Sequence, residues 1–295
     1  MVLADARSQC WCRNNRQGAF VHSTLVLGGD LPVHRLGFGA MRMPANDPAA
    51  AHALARRAVG LGVTFFDTAD SYDLGRNEEL LAEALHPYPD DVVIGTKAGQ
   101  CHPGDEWIPL GRPEYLRQQA ELSLRRLRVE RIDLFQLHRV DPAVPLADQI
   151  GALRQLQDEG KVRHVGLSEV SVDQIAEAQR ITPIVSVQNR YNLVDRRWED
   201  VLVHCERSGI AFLPWLPIAP SVRPDSPVAE VARRLGATAA QVALAWLLRR
   251  SEVMLPIPGT SSPRHLQENV RAVDVELSEE DFDRLSPSPA PTTTR

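Results

Sequence analysis

The chain has 295 residues, 43% hydrophobic and 24% charged, with a net charge of −5. That is ordinary globular composition with ample material for a large core, and it lacks the basic stripe that nucleic acid or an anionic membrane would require. Four cysteines, Cys10, Cys12, Cys101 and Cys205, are too few and too irregular for a disulfide framework, and Cys10-Trp11-Cys12 has no second cluster at metal-ligand spacing, so no metal is expected.

Residues 1–22 are polar, irregular and rich in Arg and Asn, and read as a loose extension. Met1 to Arg16 lacks the apolar core of a signal peptide. No apolar run approaches the roughly 18 residues of a membrane span, so a cytoplasmic protein is expected. Ser23 to Leu27 and Leu31 to His34 flank Gly28-Gly29-Asp30, which is a hairpin signal. Strands and helices then alternate. Strands are predicted at Arg35 to Met41, Val63 to Phe66, Val92 to Thr96, Ile132 to Leu137, Val162 to Leu167, Ile184 to Val187, Ile210 to Leu213 and Val253 to Ile257. Helices are predicted between them, over Ala49 to Val59, Glu78 to Leu85, from Pro113 to Leu127, Leu146 to Glu159, Val172 to Arg180, Arg196 to Arg207, Val228 to Leu235 and Ala239 to Arg249. Pro263 to Ala272 and Glu279 to Leu285 close the chain, and residues 286–295 read as a disordered Ser/Pro/Thr tail.

Short, continuous apolar strands are those of a parallel sheet buried on both faces. Eight such units predict one α/β domain over residues 23–285, a single (β/α)8 TIM barrel with an N-terminal β-hairpin. An open doubly wound sheet is the alternative that this alternation allows.

In a barrel the active site lies where the strands end. Asp67 and Tyr72 follow the second strand, Lys97 the third, His138 and Arg139 the fourth. Ser168 and Glu169 follow the fifth, Gln188 and Asn189 the sixth, Trp215 the seventh and Gly259-Thr260-Ser261-Ser262 the eighth. Taken singly, Asp67 reads as well as a helix cap, Tyr72 as a loop anchor, Lys97 as a surface residue and His138 as a satisfied structural histidine. Their joint placement carries the chemistry. An ammonium at Lys97 favours the Tyr72 phenolate, Asp67 keeps that ammonium charged and placed, and His138 orients a carbonyl oxygen. This set suits protonation of a forming alkoxide, as carbonyl reduction needs. Gly37-Phe38-Gly39 lacks the third glycine and the helix opening of a dinucleotide loop. Ser262 reads instead as an N-cap and Pro263 as a first helical residue, so the loop and Arg264 form a candidate anion site.

The segments Asp67-Thr68-Ala69-x-x-Tyr72, Thr96-Lys97 and Asp133-Leu134-Phe135-Gln136-Leu137-His138 resemble motifs of the aldo-keto reductases. So do Gly160-Lys161-Val162-Arg163-His164-Val165-Gly166-Leu167-Ser168, Gln188-Asn189-x-Tyr191-Asn192 and Pro256-Ile257-Pro258-Gly259-Thr260. The chain is also similar to a bacterial branch that includes pyridoxal reductases. The resemblance runs from about Leu25 to Leu285. It implies a barrel enzyme that reduces a small aldehyde or ketone with NADPH or NADH, with Asp67, Tyr72, Lys97 and His138 as the catalytic set and Tyr72 as general acid. It implies cofactor contacts at Ser168, Gln188, Trp215, Gly259, Thr260, Ser261, Arg264, His265 and Asn269. Met41, Trp107 and Arg139 are candidate pocket residues, with the Cys101-to-Pro113 insert placed to cover the opening.

Glu169 stands where many relatives carry Asn, Trp215 where relatives often carry Tyr, and His265 where many relatives carry the Arg that grips the 2′-phosphate. Arg264 stands beside His265 to substitute for it. The loop from Pro217 to Pro227, with Arg223, is not glycine-rich. Other chemistries open at this point are a Schiff-base aldolase or lyase using Lys97 and a non-catalytic nicotinamide-binding subunit. The oligomeric state is not encoded.

Overall fold

Two glycines at positive φ turn the chain back at its start. Gly28 (φ 60) and Gly29 (φ 85) let β1 (Thr24–Leu27) pair antiparallel with β2 (Leu31–His34), as expected. The turn is tied down by Asp30, which bonds His164 at 2.6 Å and accepts from Arg163 at 2.8 Å. The computed structural model describes residues 23–219 and 225–286. The expected loose extension, with Cys10 and Cys12, lies outside the described residues, as do Arg223 and all but the first residue of the expected tail.

The predicted alternation is present. The parallel sheet is built from β3 (Phe38–Gly39), β4 (Phe65–Asp67), β5 (Val93–Ala98), β8 (Ile132–Leu137), β9 (Val162–Ser168), β10 (Ile184–Gln188) and β11 (Ala211–Phe212), adjacent in that order. The Cys101-to-Pro113 insert carries a small antiparallel pair that periodicity did not predict, β6 (Gln100–Cys101) with β7 (Ile108–Pro109).

Consecutive strand residues face opposite ways, which buries both faces. Phe66, Ile94 and Phe38 pack under Leu54 and Ala58 of α1 (Pro48–Gly60) and Leu80 and Leu81 of α2 (Arg76–Leu85). Phe135, Leu137 and Val165 pack under Leu116 of α3 (Pro113–Leu127) and Leu153 of α4 (Leu146–Asp158). Their sequence neighbours Phe65, Val93 and Leu134 point inward, where Leu27, Leu31 and Val33 of the hairpin meet them.

The expected strand at Val253 to Ile257 forms only a bridge from Met254 to Phe212. Pro256 and Pro258 have no N–H to give to a ladder, which explains the difference. Their carbonyls still accept. Val253 O takes the Phe212 N–H at 2.8 Å, Pro256 O the Gly37 N–H at 2.9 Å and Pro258 O the Gly39 N–H at 3.3 Å. The sheet is curled so that both its edges reach this one segment.

Glycine is needed where it does. A Cβ on Gly39 would sit 2.6 Å from Ile257 O, and one on Gly259 would sit 2.7 Å from Gly39 O. Gly37 and Gly39 therefore serve close backbone approach rather than phosphate binding.

Candidate active site

The C-terminal edge of the parallel strands gathers the polar residues. Asp67 is the last residue of β4, and the chain beyond it stays zipped to β5. Thr68 N–H meets Gly95 O at 2.8 Å and Asp70 N–H meets Lys97 O at 3.0 Å. This fixes the short run that leads to Tyr72, where a 3-10 turn begins, with Asp73 and Leu74 in left-handed backbone. Lys97 points inward from β5, and His138 directly follows β8.

Lys97 is fully buried, and its three ammonium protons have three acceptors. Nζ is 2.7 Å from Asp67 Oδ2, 2.7 Å from Thr68 O and 3.4 Å from Tyr72 Oη. The other Asp67 oxygen accepts from Gln188 Nε2 at 2.8 Å and from Gln136 Nε2 at 3.3 Å. Burial alone would lower the Lys97 amine, but Asp67 and Tyr72 outweigh it and raise it.

Tyr72 corrects one expectation. Lys97 does pull the phenol down, yet burial pushes it up more strongly, so its net direction is upward and it holds its proton at neutral pH. His138 is held well below the usual imidazole value by burial and by the charges of Lys97 and Arg139, so its ring is neutral. Ser71 Oγ lies 3.4 Å from its Nδ1. Its ring centroid is 5.8 Å from that of Tyr72, edge to face.

The insert does approach this group. Trp107 stacks on His102 with centroids 4.0 Å apart and presents an edge to Tyr72 at 6.4 Å and to His138 at 6.5 Å. Arg139 Nη1 donates to His138 O at 2.6 Å and to Ser168 Oγ at 3.0 Å, linking two strand ends. Met41 is exposed on the turn after β3.

The residues expected to meet a cofactor fall into two groups. Ser168 and Gln188 end β9 and β10, but their polar groups have protein partners: Ser168 Oγ–H goes to Gln188 O at 2.9 Å and the Gln188 amide goes to Asp67. Trp215 lies beside them, its N–H on Asn189 O at 3.2 Å. Its indole Nε1–H donates to Glu169 at 2.7 Å. The second group sits at the start of α9 (Pro263–Val270). Ser262 is its N-cap and Pro263 its first residue, as expected. Ser261, Arg264 and His265 are exposed there, Thr260 and Asn269 are buried, and Gly259 abuts Gly39, whose strand partner is Asp67.

Sequence reasoning missed Gln136 and Ser71. Gln136 had a signal: it stands two residues before His138 in the run that ends β8, so the alternation of that run points both to the same face.

Comparison with known proteins agrees with this geometry. The model of the aldo/keto reductase family matches residues 35–287. An uncharacterized oxidoreductase of Schizosaccharomyces pombe is 48% identical over 267 residues, 87% of each chain. The pyridoxine 4-dehydrogenase of Escherichia coli is 39% identical, covering 85% of this chain and 93% of its own length. An aldo-keto reductase of Klebsiella pneumoniae, solved in complex with NADPH, superposes with a TM-score of 0.78 at 28% identity, over 90% of this chain and 94% of that one. The chain belongs to the aldo-keto reductase family.

Proposed function

We propose that this chain is an NAD(P)H-dependent reductase that converts the carbonyl of a small aldehyde or ketone to an alcohol. One observation carries the assignment of roles: a fully buried Lys97 ammonium held between the Asp67 carboxylate and the Tyr72 hydroxyl, at 2.7 and 3.4 Å. We infer a closed (β/α)8 barrel over residues 23–285 with the hairpin across one end. The hydrogen bonds from 253–258 to both sheet edges support that closure.

The cofactor is NADPH, with NADH as the second to be tested, and when bound it supplies the hydride. The residues at hand fit such a group. A capped helix start with exposed Arg264 and His265 suits its phosphates, and the Trp215 ring suits a flat, apolar nicotinamide face. Ser168, Gln188, Gly259, Thr260, Ser261 and Asn269 complete this reading.

Tyr72 Oη–H gives its proton to the oxygen that becomes the alkoxide. The resulting phenolate is stabilised by Lys97, which Asp67 keeps placed and charged. A neutral His138 ring that accepts at Nδ1, where Ser71 Oγ stands at 3.4 Å, carries its proton on Nε2 and would donate it to the substrate carbonyl. Met41, Trp107 and Arg139 line the substrate side. Lys97 spends its protons on three acceptors and stays charged, so a Schiff-base amine finds no support, and the assembled set of Asp67, Tyr72, Lys97 and His138 speaks against a non-catalytic subunit.

The relative named pyridoxine 4-dehydrogenase, and Trp107 set edge-on to Tyr72, support a small aromatic aldehyde as substrate. Among the described residues no helix is long and apolar enough to cross a membrane. The test is NADPH oxidation against a panel of aldehydes and ketones, repeated with NADH. Oxidation that depends on the carbonyl, fastest for small aromatic aldehydes, is expected. A panel silent with both cofactors contradicts the reading.

A further inference from the structure

Glu169 and Trp215 are joined by a bond that the chemistry above leaves unused. Oε1 of Glu169 accepts the Trp215 indole N–H at 2.7 Å and the Arg190 backbone N–H at 2.6 Å. The backbone is unusual at both ends of this contact. Glu169 has φ 55 and Leu216, next to Trp215, has φ 52; both lie in the left-handed region that side chains other than Gly and Asn rarely adopt. Such backbone persists where surrounding contacts hold it, and it concentrates at functional sites.

The ring of Trp215 is constrained on several sides. Its backbone N–H is on Asn189 O at 3.2 Å and its carbonyl accepts from Tyr191 N–H at 3.4 Å. Arg190 lies over one face, its guanidinium carbon 5.8 Å from the ring centroid, and Arg190 Nε stands 2.9 Å from Asp195 Oδ2. One edge of the ring and its remaining rotation are fixed by Glu169.

Two departures from the family pattern answer each other here. A tyrosine would carry its donor at the ring tip, whereas an indole carries it at the side, where the Glu169 carboxylate reaches it. A bond to a charged acceptor is also roughly twice as strong as one to a neutral acceptor.

We propose that Glu169 is a positioning residue for the cofactor: its carboxylate holds the Trp215 indole so that the face opposite Arg190 packs on the nicotinamide ring. The proposal rests on the reading of Trp215 as the stacking partner. It goes further in giving Glu169 a task other than the carboxamide contact of its family counterpart.

The test is calorimetric titration of NADPH into the full-length protein and its variants. Trp215→Ala checks the stacking reading by itself. If it binds NADPH as the wild type does, that reading fails and takes this proposal with it. Given weakened binding there, Glu169→Ala is expected to weaken NADPH about tenfold, the range for one charge-assisted hydrogen bond. Glu169→Gln keeps an acceptor in nearly the same shape and should recover most of the loss. In a Trp215→Phe background, which has no N–H to hold, adding Glu169→Ala should change affinity less than about twofold. The same tenfold loss in that background would overturn the proposal, because Glu169 would then act through the Arg190 backbone alone. A wild-type affinity for Glu169→Ala would overturn it equally.

Discussion

Asp70 sits between the acid that pairs with Lys97 and the phenol that faces it, and it has neither of their partners. It is buried, its Oδ1 has no hydrogen-bond partner among the described residues, and its side chain bonds Ser71 and the Tyr115 hydroxyl. Burial first, and the neighbouring Glu78 charge second, push it up to about 7, against the opposing pull of Arg126. A raised acid costs stability where the unfolded chain has already ionised. Between about pH 4 and about pH 7 the folded state holds a proton that the unfolded state releases, so stability falls as pH rises through that window and is level above it. Asp70→Asn removes the titration. Its advantage over the wild type should grow by about 4 kcal/mol from the acid to the neutral end of the window. Urea unfolding at about pH 5 and about pH 8 covers the upper two units of that window and should show about 2.6 kcal/mol of it. A difference that does not change with pH would show that Asp70 ionises as it does in the unfolded chain. The sequence left this aspartate without a role because nothing in composition or spacing reveals how dry a position is. For the same reason it suggested that Lys97 would lower Tyr72, whereas burial wins.

The elements were legible where apolar runs end in chemistry. Asp67, Lys97, His138, Ser168 and Gln188 lie at or near the ends of parallel strands, as the alternation predicted. What was not legible depends on contacts distant in the chain. The β6–β7 pair has no periodicity to betray it, and the Glu169–Trp215 bond spans 46 positions. The last predicted strand was found in place but without a ladder, because Pro256 and Pro258 accept without donating. At that junction Gly39 and Gly259 admit backbone on backbone, and a methyl group has nowhere to go. Gly39→Ala is therefore expected to destabilise the protein by about 2 kcal/mol or more, in the range of overpacked cores. Gly60→Ala, where a Cβ meets nothing within 4 Å, should not. Equal thermal midpoints for the two variants would contradict the close approach.

Across the whole molecule one edge of the sheet gathers the reactive groups, and the hairpin packs against the interior from the other end. The site is dry by construction. Lys97 is wholly enclosed, His138 is neutral and Tyr72 keeps its proton at neutral pH. The Trp107–His102 stack forms an aromatic wall next to the phenol. The family could be read from ordered motifs, since residues that must meet at strand ends leave a fixed order along the chain. The substrate could not, because it is recognised by loops whose shape is set by the fold rather than by spacing.

The central claim is that Tyr72 delivers the proton, and Tyr72→Phe tests it most directly. The variant removes one oxygen from a buried ring and leaves Asp67, Lys97 and His138 in place. NADPH oxidation with the best aldehyde of the panel should fall by at least about 100-fold in kcat, the contribution expected of a positioned acid. NADPH affinity should stay within about twofold of the wild type, as for removal of an interaction made only in the transition state. Wild-type turnover by Tyr72→Phe, with cofactor bound, would contradict the account.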